Sequence, residues 1–546
     1  MKKKIIRRGV ALALAGLMSL SILGCQQQDT SSPSDDDTQS TTAGALVPMA
    51  DPVDDNYRTF YQIFVGSFSD ANNDTFGDLR GIINRFDYLN DGNVNSETSL
   101  GVQGIWLSPI FASPSYHKYD TTDYYKIDWR FGEEKDLKEL ADLCEERNVK
   151  LILDLVLNHT SNQHEWFVQF KKARLAGDTE NEYYDYYTCV TEEEKVGGRT
   201  YQGIGGGWFY ECNFSGDMPE LNFDNENVRQ AMLDVAKHYL ELGVDGFRFD
   251  AVKYIYYGDA EKSVEFWQWY MDELKKIDPD IYCVGECWSG ETEIMQYNSA
   301  MNCFNFAMSG AEGVAATAAK GGSLTSFTNY IVSYQKKVRN SNPNGIPMQF
   351  LSNHDQDRIA GTFVTENNMR MAANLYLLSP GSHFIYYGEE LGIRGSRGSA
   401  NTDANRRLAM LWGDTDLVKN PVGSTYSADK QIKTTVASQM EDESSLLRYY
   451  CKLLSIRHRY PAIARGTYSA IGTENKNLAG FLVRYEEEEL LILHNNSTAE
   501  ITVDLAICKD LNGISLTKLC EVIGVGNATL EGTVLTIAGQ TSVVIQ

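Results

Sequence analysis

Between residues 60 and 387 eight short apolar runs recur, each parted from the next by a longer segment, several of which carry a helical pattern. Apolar runs of about four to eight residues suit strands covered on both faces, and strands alternating with helices build a parallel sheet with crossover helices. The expected strands are 60–65, 104–108, 150–156, 246–250, 281–285, 302–306, 348–351 and 384–387. Eight of them predict a (β/α)8 TIM barrel of the α/β class. Within the connections, 134–147 places Leu137, Leu140, Ala141 and Cys144 on one helical face, and 227–242 does the same with Val228, Met232, Val235, Ala236 and Tyr239. The segment 160–221 is far longer than an ordinary βα loop and predicts a small excursion domain on the upper face of the barrel. Beyond residue 460 short runs between Gly and Asn turns predict a C-terminal all-β sandwich, 461–546, leaving 56–159 and 222–460 to the barrel.

Four of the strands end in polar residues where a buried strand should be apolar. They read Leu153-Asp154-Leu155-Val156-Leu157-Asn158-His159, Gly246-Phe247-Arg248-Phe249-Asp250, Val284-Gly285-Glu286 and Phe350-Leu351-Ser352-Asn353-His354-Asp355. A lone carboxylate costs several kcal/mol to bury, so acids at the C-terminal rim of a barrel call for a partner or a task. Period two sends Arg248 and Asp250 to one face of their strand, where the guanidinium can keep Asp250 ionised. Three convergent carboxyls can divide the work of glycosidic cleavage into attack, proton donation and support of an oxocarbenium-like state. A buried ion-pair network that only holds strand ends in register is the other reading of the same residues.

Charge narrows the partners. Lys and Arg number 49 against 74 Asp and Glu, a net charge of −25 that repels phosphate backbones, so nucleic acid is not an expected partner. The N-terminus carries Lys2, Lys3, Lys4, Arg7 and Arg8 before an apolar stretch of about 16 residues, short for a membrane span and suited to a secretory signal peptide at 1–24. It ends Ile22-Leu23-Gly24-Cys25, which resembles the bacterial lipobox, so Cys25 is the expected lipidation site. Residues 25–55 have almost nothing to bury and read as a flexible tether, which predicts an exported protein lipid-anchored at the bacterial cell envelope and facing outward. Of the cysteines, Cys189 with Cys212 and Cys508 with Cys520 are local enough to pair, whereas Cys283 and Cys287 read as buried thiols.

Taken together the motifs DLVLNHT (154–160), GFRFDAVKY (246–254), VGECW (284–288) and FLSNHDQDR (350–358), with MPELN (218–222) and FIYYGEELG (384–392), resemble those of the α-amylase family of glycoside hydrolases, family 13. The resemblance covers nearly all of the chain from Tyr57 onward. It implies Asp250 as nucleophile, Glu286 as acid/base and Asp355 as transition-state stabiliser. Arg248, His159 and His354 would contact the sugar at the cleavage site, Tyr119 would stack beneath it, and Asp120, Lys253 and Arg358 would complete the substrate contacts. MPELN is similar to a segment of the α-amylases placed between the oligo-1,6-glucosidase and neopullulanase groups, with Glu220 where Asp is usual. Lys253 resembles a pattern of endo-acting members, although Tyr254 stands where they carry His.

A second constellation, Asp70, Asn72, Asp74, Phe76 and Asp78, alternates oxygen donors as a hard cation requires. It is no EF-hand, since Thr75 and Gly81 occupy positions where that loop needs Gly and Glu. The resemblance implies a calcium ion held by these side chains and the Phe76 carbonyl; an Asn/Asp-rich turn is the other reading. Trp208, Phe209 and Tyr210 are either a glucan platform or packing for the excursion domain. The expected function is retaining endo-hydrolysis of α-1,4-glucosidic bonds in starch, glycogen or maltooligosaccharides. The alternatives are an exo-acting α-glucosidase, a cyclomaltodextrinase or neopullulanase, a glucanotransferase, and, in another class, a non-catalytic glucan-binding lipoprotein.

Overall fold

The computed structural model describes residues 55–93, 96–511, 513–514 and 516–546. The expected signal peptide, Cys25 and the tether up to residue 54 lie outside the described residues. Seven of the apolar runs become strands: β1 (Thr59–Ile63), β2 (Gly104–Leu107), β3 (Lys150–Leu155), β4 (Gly246–Phe249), β5 (Tyr282–Gly285), β6 (Met348–Phe350) and β7 (Ser382–Tyr386). They pair in the order β5-β4-β3-β2-β1-β7-β6, every pair parallel. The run 302–306 is not a continuous strand. It pairs through two single parallel bridges, Gly285 with Cys303 and Phe304 with Met348, and these close the ring between β5 and β6. The result is a (β/α)8 barrel followed by an all-β domain.

Alternation along the strands divides the core in two. Phe60, Trp106, Ile152, Tyr282, Val284, Phe304, Met348, Phe350 and Phe384 pack together inside the ring. Their neighbours Tyr61, Ile105, Leu107, Leu151, Leu153, Phe247 and Phe249 belong to the cluster shared with the helices. Helix α1 (Glu134–Glu146) buries Leu137, Leu140, Ala141 and Cys144, and α2 (Glu226–Glu241), whose N-cap Asn225 accepts from Asn227 N–H, buries Val228, Met232, Val235, Ala236 and Tyr239. Gly246 opens β4 because a Cβ there would stand 1.8 Å from the Tyr282 carbonyl oxygen. The inward residues of β3 and β4 continue the alternation with charge: Asp154 and Arg248 are register partners across the two strands.

Residues 160–221 carry a helix (Glu165–Ala176) and a three-stranded antiparallel sheet of Cys189–Thr191, Trp208–Glu211 and Tyr201–Gly205. A bridge from His159 to Glu220 fastens the segment to the end of β3, and one from Tyr187 to Leu221 ties the segment to itself. In the C-terminal part a five-stranded antiparallel sheet faces a three-stranded one across Ile471, Leu478, Leu491, Leu493, Leu535, Ile537, Val543 and Ile545. The opposite face of the larger sheet, with Phe481, Val483, Ile492 and Val544, joins the barrel's core cluster. All nine cysteines among the described residues are free thiols. The cysteines close enough in sequence to pair are not joined; Cys189 stands opposite Tyr210, two residues short of Cys212.

Candidate active site

The site is organised by one guanidinium. Arg248 is fully buried; its Nη1 lies 2.8 Å from Asp154 Oδ1 and 2.7 Å from Asp250 Oδ1, and its Nη2 lies 3.1 Å from Glu286 Oε2. Asp154 comes from β3, Asp250 from the end of β4 and Glu286 from the end of β5, so the cation stitches three neighbouring strand ends. Burial alone would lower the guanidinium, and Asp154, Glu286, Tyr119 and Asp250 raise it well above its usual value, so it stays charged. Asp154 is also held by Tyr119 Oη at 3.0 Å and Trp106 Nε1 at 3.3 Å, both donating to Oδ2. Burial pushes its carboxyl up to about 7 against the pull of Arg248.

The turn after Asp250 aims the next group. Ala251 adopts a left-handed conformation, φ 50° and ψ 42°, which a residue with a Cβ takes up only at a cost of about 1–3 kcal/mol. That turn points Ala251 N–H at Glu286 Oε2, 3.0 Å away. Glu286 is buried, and desolvation pushes its carboxyl up to about 8; Asp250 and Asp355 add to the rise, while Arg248 and the Ala251 N–H oppose it. At neutral pH Glu286 therefore carries a proton it can give away.

Asp355 is tuned the other way. Its Oδ1 receives Arg407 Nη2 at 2.7 Å and its Oδ2 lies 2.9 Å from His354 Nε2. Burial opposes ionisation, but His354, Arg407 and Arg248 together hold the carboxyl well below the usual carboxylate range. His354 is itself pushed down by burial, so it is neutral at pH 7 and the full charge on Asp355 is balanced by Arg407. Gln62 Nε2 donates to His354 Nδ1 at 2.7 Å, which leaves the proton on Nε2, facing Asp355 and the Tyr119 hydroxyl.

The chain thus brings Asp250, Glu286, Asp355, Arg248, His354 and Tyr119 into one cluster. His159 joins its edge: the ring is buried, Nδ1 lies 3.3 Å from Asn158 Nδ2, and among the described residues Nε2 has no hydrogen-bond partner. Lys253 stands on the rim with Nζ donating to the Trp288 carbonyl at 2.8 Å. Two expected contacts lie differently. Asp120 Oδ1 accepts from the hydroxyls of Ser113 and Ser115 in its own loop. Arg358 gives Nε to the Arg406 carbonyl at 2.8 Å and Nη1 to the Tyr387 carbonyl at 2.6 Å and lies over the Tyr386 and Tyr387 rings, so in this structure it braces the loop behind Asp355. Arg407 and Asp154 had no role assigned from sequence. Asp154 had a signal, since the inward position of a strand-borne carboxylate implies a cation opposite. Arg407 had none, as 52 residues of chain separate it from Asp355.

The model of the alpha amylase catalytic domain matches residues 62–466. The chain belongs to the α-amylase family. It is 34% identical over 455 residues to Alpha-amylase 3 of Dictyoglomus thermophilum, covering 81% of this chain and 85% of that protein. It is 28% identical to a 4-alpha-glucanotransferase of Thermotoga neapolitana over 81% of this chain and 97% of the relative. The crystal structure of an alpha-amylase from H. orenii superposes with a TM-score of 0.78 at 32% identity, covering 90% and 99% of the two chains. This α-amylase family member is therefore an enzyme acting on α-glucans by glycosyl hydrolysis or transfer.

The oxygen-rich loop lies apart from this cluster. Asp70 Oδ1 accepts from Asn73 N–H at 2.7 Å, Asp70 Oδ2 from Thr75 N–H at 2.7 Å, and Asp78 Oδ1 from Gly81 N–H at 2.6 Å, so the carboxylates shape their own turn. Asn73 and Thr75 take positive φ of 66° and 78°. Among the described residues no three His, Cys, Asp or Glu side chains converge as a ligand set. The donor chemistry nonetheless suits a hard cation: burial raises the Asp78 carboxyl and the charges of Asp70 and Asp74 raise it further, a repulsion that a bound cation would relieve.

Proposed function

We propose that this enzyme hydrolyses internal α-1,4-glucosidic bonds of starch-like polysaccharide with retention of configuration. Asp250 attacks the anomeric carbon while Glu286 passes its proton to the leaving oxygen; Glu286, now a carboxylate, then takes a proton from the water that releases the glycosyl group from Asp250. Asp355, held ionised by Arg407, supports the positive charge that develops on the ring between these steps. Retention requires carboxyls about 5–5.5 Å apart rather than the about 6.5–9.5 Å of inverting enzymes, and a single guanidinium touching both Asp250 and Glu286 favours the shorter spacing. The observation that supports the polysaccharide substrate is the rim beyond Glu286. There Trp288 presents a half-exposed indole stacked on Phe306, ring centroids 5.1 Å apart, and its carbonyl fixes Lys253. A rim with an open aromatic face has room for glucose units on the leaving-group side, as a chain-length substrate requires.

The product distribution from soluble starch and from maltose tests this reading, with the Glu286→Gln variant as control. Rapid loss of iodine staining, mixed short maltooligosaccharides and weak maltose cleavage are expected. Glucose as the sole product would move the enzyme to the α-glucosidase reading. Products longer than the substrate would move it to transfer, the activity named for the Thermotoga neapolitana relative.

We also propose that the 70–78 loop takes a calcium ion through Asp70, Asn72, Asp74, Asp78 and the Phe76 carbonyl. Its support is the all-oxygen donor set and the mutual repulsion of its acids. Calcium would cross-brace the loop after β1 without entering the chemistry, so its removal by a chelator should lower the thermal midpoint by several degrees and its return should restore it. A midpoint indifferent to chelation, with no calcium found in the purified protein, would leave the loop a self-capped turn. Export and anchoring through Cys25 belong to the same proposal and rest on the sequence alone.

A further inference from the structure

Tyr119 reaches the catalytic cluster from a loop rather than from a barrel strand. Asp154 and Arg248 stand within β3 and β4, whereas Tyr119 belongs to the loop 113–122, which joins two short antiparallel strands, Phe111–Ala112 and Asp123–Ile127. Its hydroxyl nevertheless has a narrow place. Oη donates to Asp154 Oδ2 at 3.0 Å and meets His354 Nε2, and the ring stacks on that of His354 at 5.5 Å with the planes 6° from parallel. A loop side chain keeps such a place only where the loop itself is fastened.

The fastening is the residue before it. Lys118 is 2% exposed; its Nζ pairs with Asp128 Oδ2 at 2.6 Å and donates to the Ser113 carbonyl at 3.2 Å. Asp128 is as deeply buried and is itself fixed, its N–H donating to the Ile110 carbonyl and its Oδ1 accepting from Arg130 N–H at 3.1 Å. Three residues on, the Phe131 carbonyl accepts from Leu79 N–H at 3.0 Å, which ties the block 128–131 to the helix Leu79–Asn84. On the other side of Tyr119, Asp120 is held by the hydroxyls of Ser113 and Ser115. Those bonds stay inside the loop, whereas the Lys118–Asp128 pair carries its tip back to the base of the hairpin. Lys118 takes a left-handed backbone, φ 68°, and the turn parts two consecutive side chains, Lys118 toward Asp128 and Tyr119 toward Asp154. A buried ion pair adds little net stability over apolar packing of the same volume, and a left-handed residue with a Cβ subtracts from it, so stability alone does not account for this pair.

We infer that Lys118 and Asp128 are positioning residues for the reaction: their buried pair bolts the loop 113–122 so that the Tyr119 hydroxyl stays against Asp154 and His354. This rests on the hydrolase reading above, in which Tyr119 lies beneath the sugar being cleaved. Asp154 in turn holds Arg248, so a shift of the phenol also removes one of the donors that anchor the guanidinium's partner. A misplacement of about 1 Å is enough to cost about a hundredfold in rate where a group must meet a bound substrate.

Lys118→Met keeps the length of the side chain and removes its charge. It should lower kcat/KM by about tenfold or more on maltoheptaose and on α-maltosyl fluoride alike, because both seat a sugar over Tyr119. In the Tyr119→Phe background the same change should cost less than about twofold, since the hydroxyl that the pair positions is already gone. A merely structural pair would give the same loss in both backgrounds; that outcome, or no loss from Lys118→Met in the native background, would overturn the assignment. If Lys118→Met unfolds because Asp128 is left buried without its cation, the double variant Lys118→Met with Asp128→Asn carries the test. Its urea midpoint should return toward the native one while kcat/KM stays low, and recovery of activity along with the midpoint would overturn the assignment. If the native enzyme turned over neither substrate, the hydrolase reading would fail, and the crystal structure of the double variant would still decide the placement: Tyr119 Oη displaced beyond about 3.5 Å from Asp154 Oδ2 supports it, and an unmoved hydroxyl overturns it.

Discussion

Glu286→Gln should lower kcat on starch by about 10²–10⁴-fold, the range supplied by a positioned general acid. Gln keeps the shape of the side chain and can still accept from Ala251 N–H through its carbonyl oxygen, so the fold should survive. Release of fluoride from α-maltosyl fluoride in the first turnover needs no proton donor, because fluoride departs as an anion, and should be far less affected. That contrast separates loss of an acid from general damage to the cleft; equal losses on the two substrates would remove Glu286 from the donor role. The pH profile carries the same information in the native enzyme. Since burial raises Glu286 to about 8, the protonated, competent form persists through neutrality, and kcat/KM should be sustained up to that point and fall as pH rises through it. A fall centred near the ordinary glutamate value would mean that the site does not hold the proton.

The second large effect is expected from Arg248→Ala. The guanidinium touches Asp154, Asp250 and Glu286 at once, and without it three buried carboxyls face one another. Leaving buried acids without their counter-charge costs about 3–5 kcal/mol, which should appear as a lowered urea midpoint together with loss of activity. Two further measurements identify the cause. Adding Asp154→Asn should recover part of the lost stability, because one of the opposed acids becomes neutral. Lowering the pH should also shrink the difference from the native protein, because a carboxyl that binds a proton no longer needs the cation. An unchanged midpoint would show that the ion-pair cluster contributes nothing to holding the strand ends together.

These experiments bear on a site whose parts were legible in the chain to different degrees. Motif spacing and two-residue alternation were enough to place Asp250, Glu286 and Asp355 at strand ends and to turn Arg248 inward, because a strand's geometry is local and a lone buried acid advertises its need for a partner. The same local rules anticipated the barrel and the buried faces of α1 and α2, since periodic apolar residues bury one face whatever lies opposite. They overstated the run 302–306, where pairing depends on neighbours on both sides and only two bridges form. They also could not separate a cleft residue from a brace. Arg358 sits in the same motif as Asp355, yet its guanidinium ends on the carbonyls of Arg406 and Tyr387.

What the amino-acid order determined by itself is the family, the barrel and the strand-end positions of the acids, all of which follow from short-range pattern. Tertiary structure alone decided which charges meet and therefore how each acid is tuned. Arg407 reaches Asp355 across 52 residues, and Phe214, from a loop with no motif of its own, meets the rings of His159 and Tyr254. The reason is physical: a carboxyl's proton affinity is set by the few ångströms around it, and in a barrel those neighbours come from strands and loops far apart in the chain.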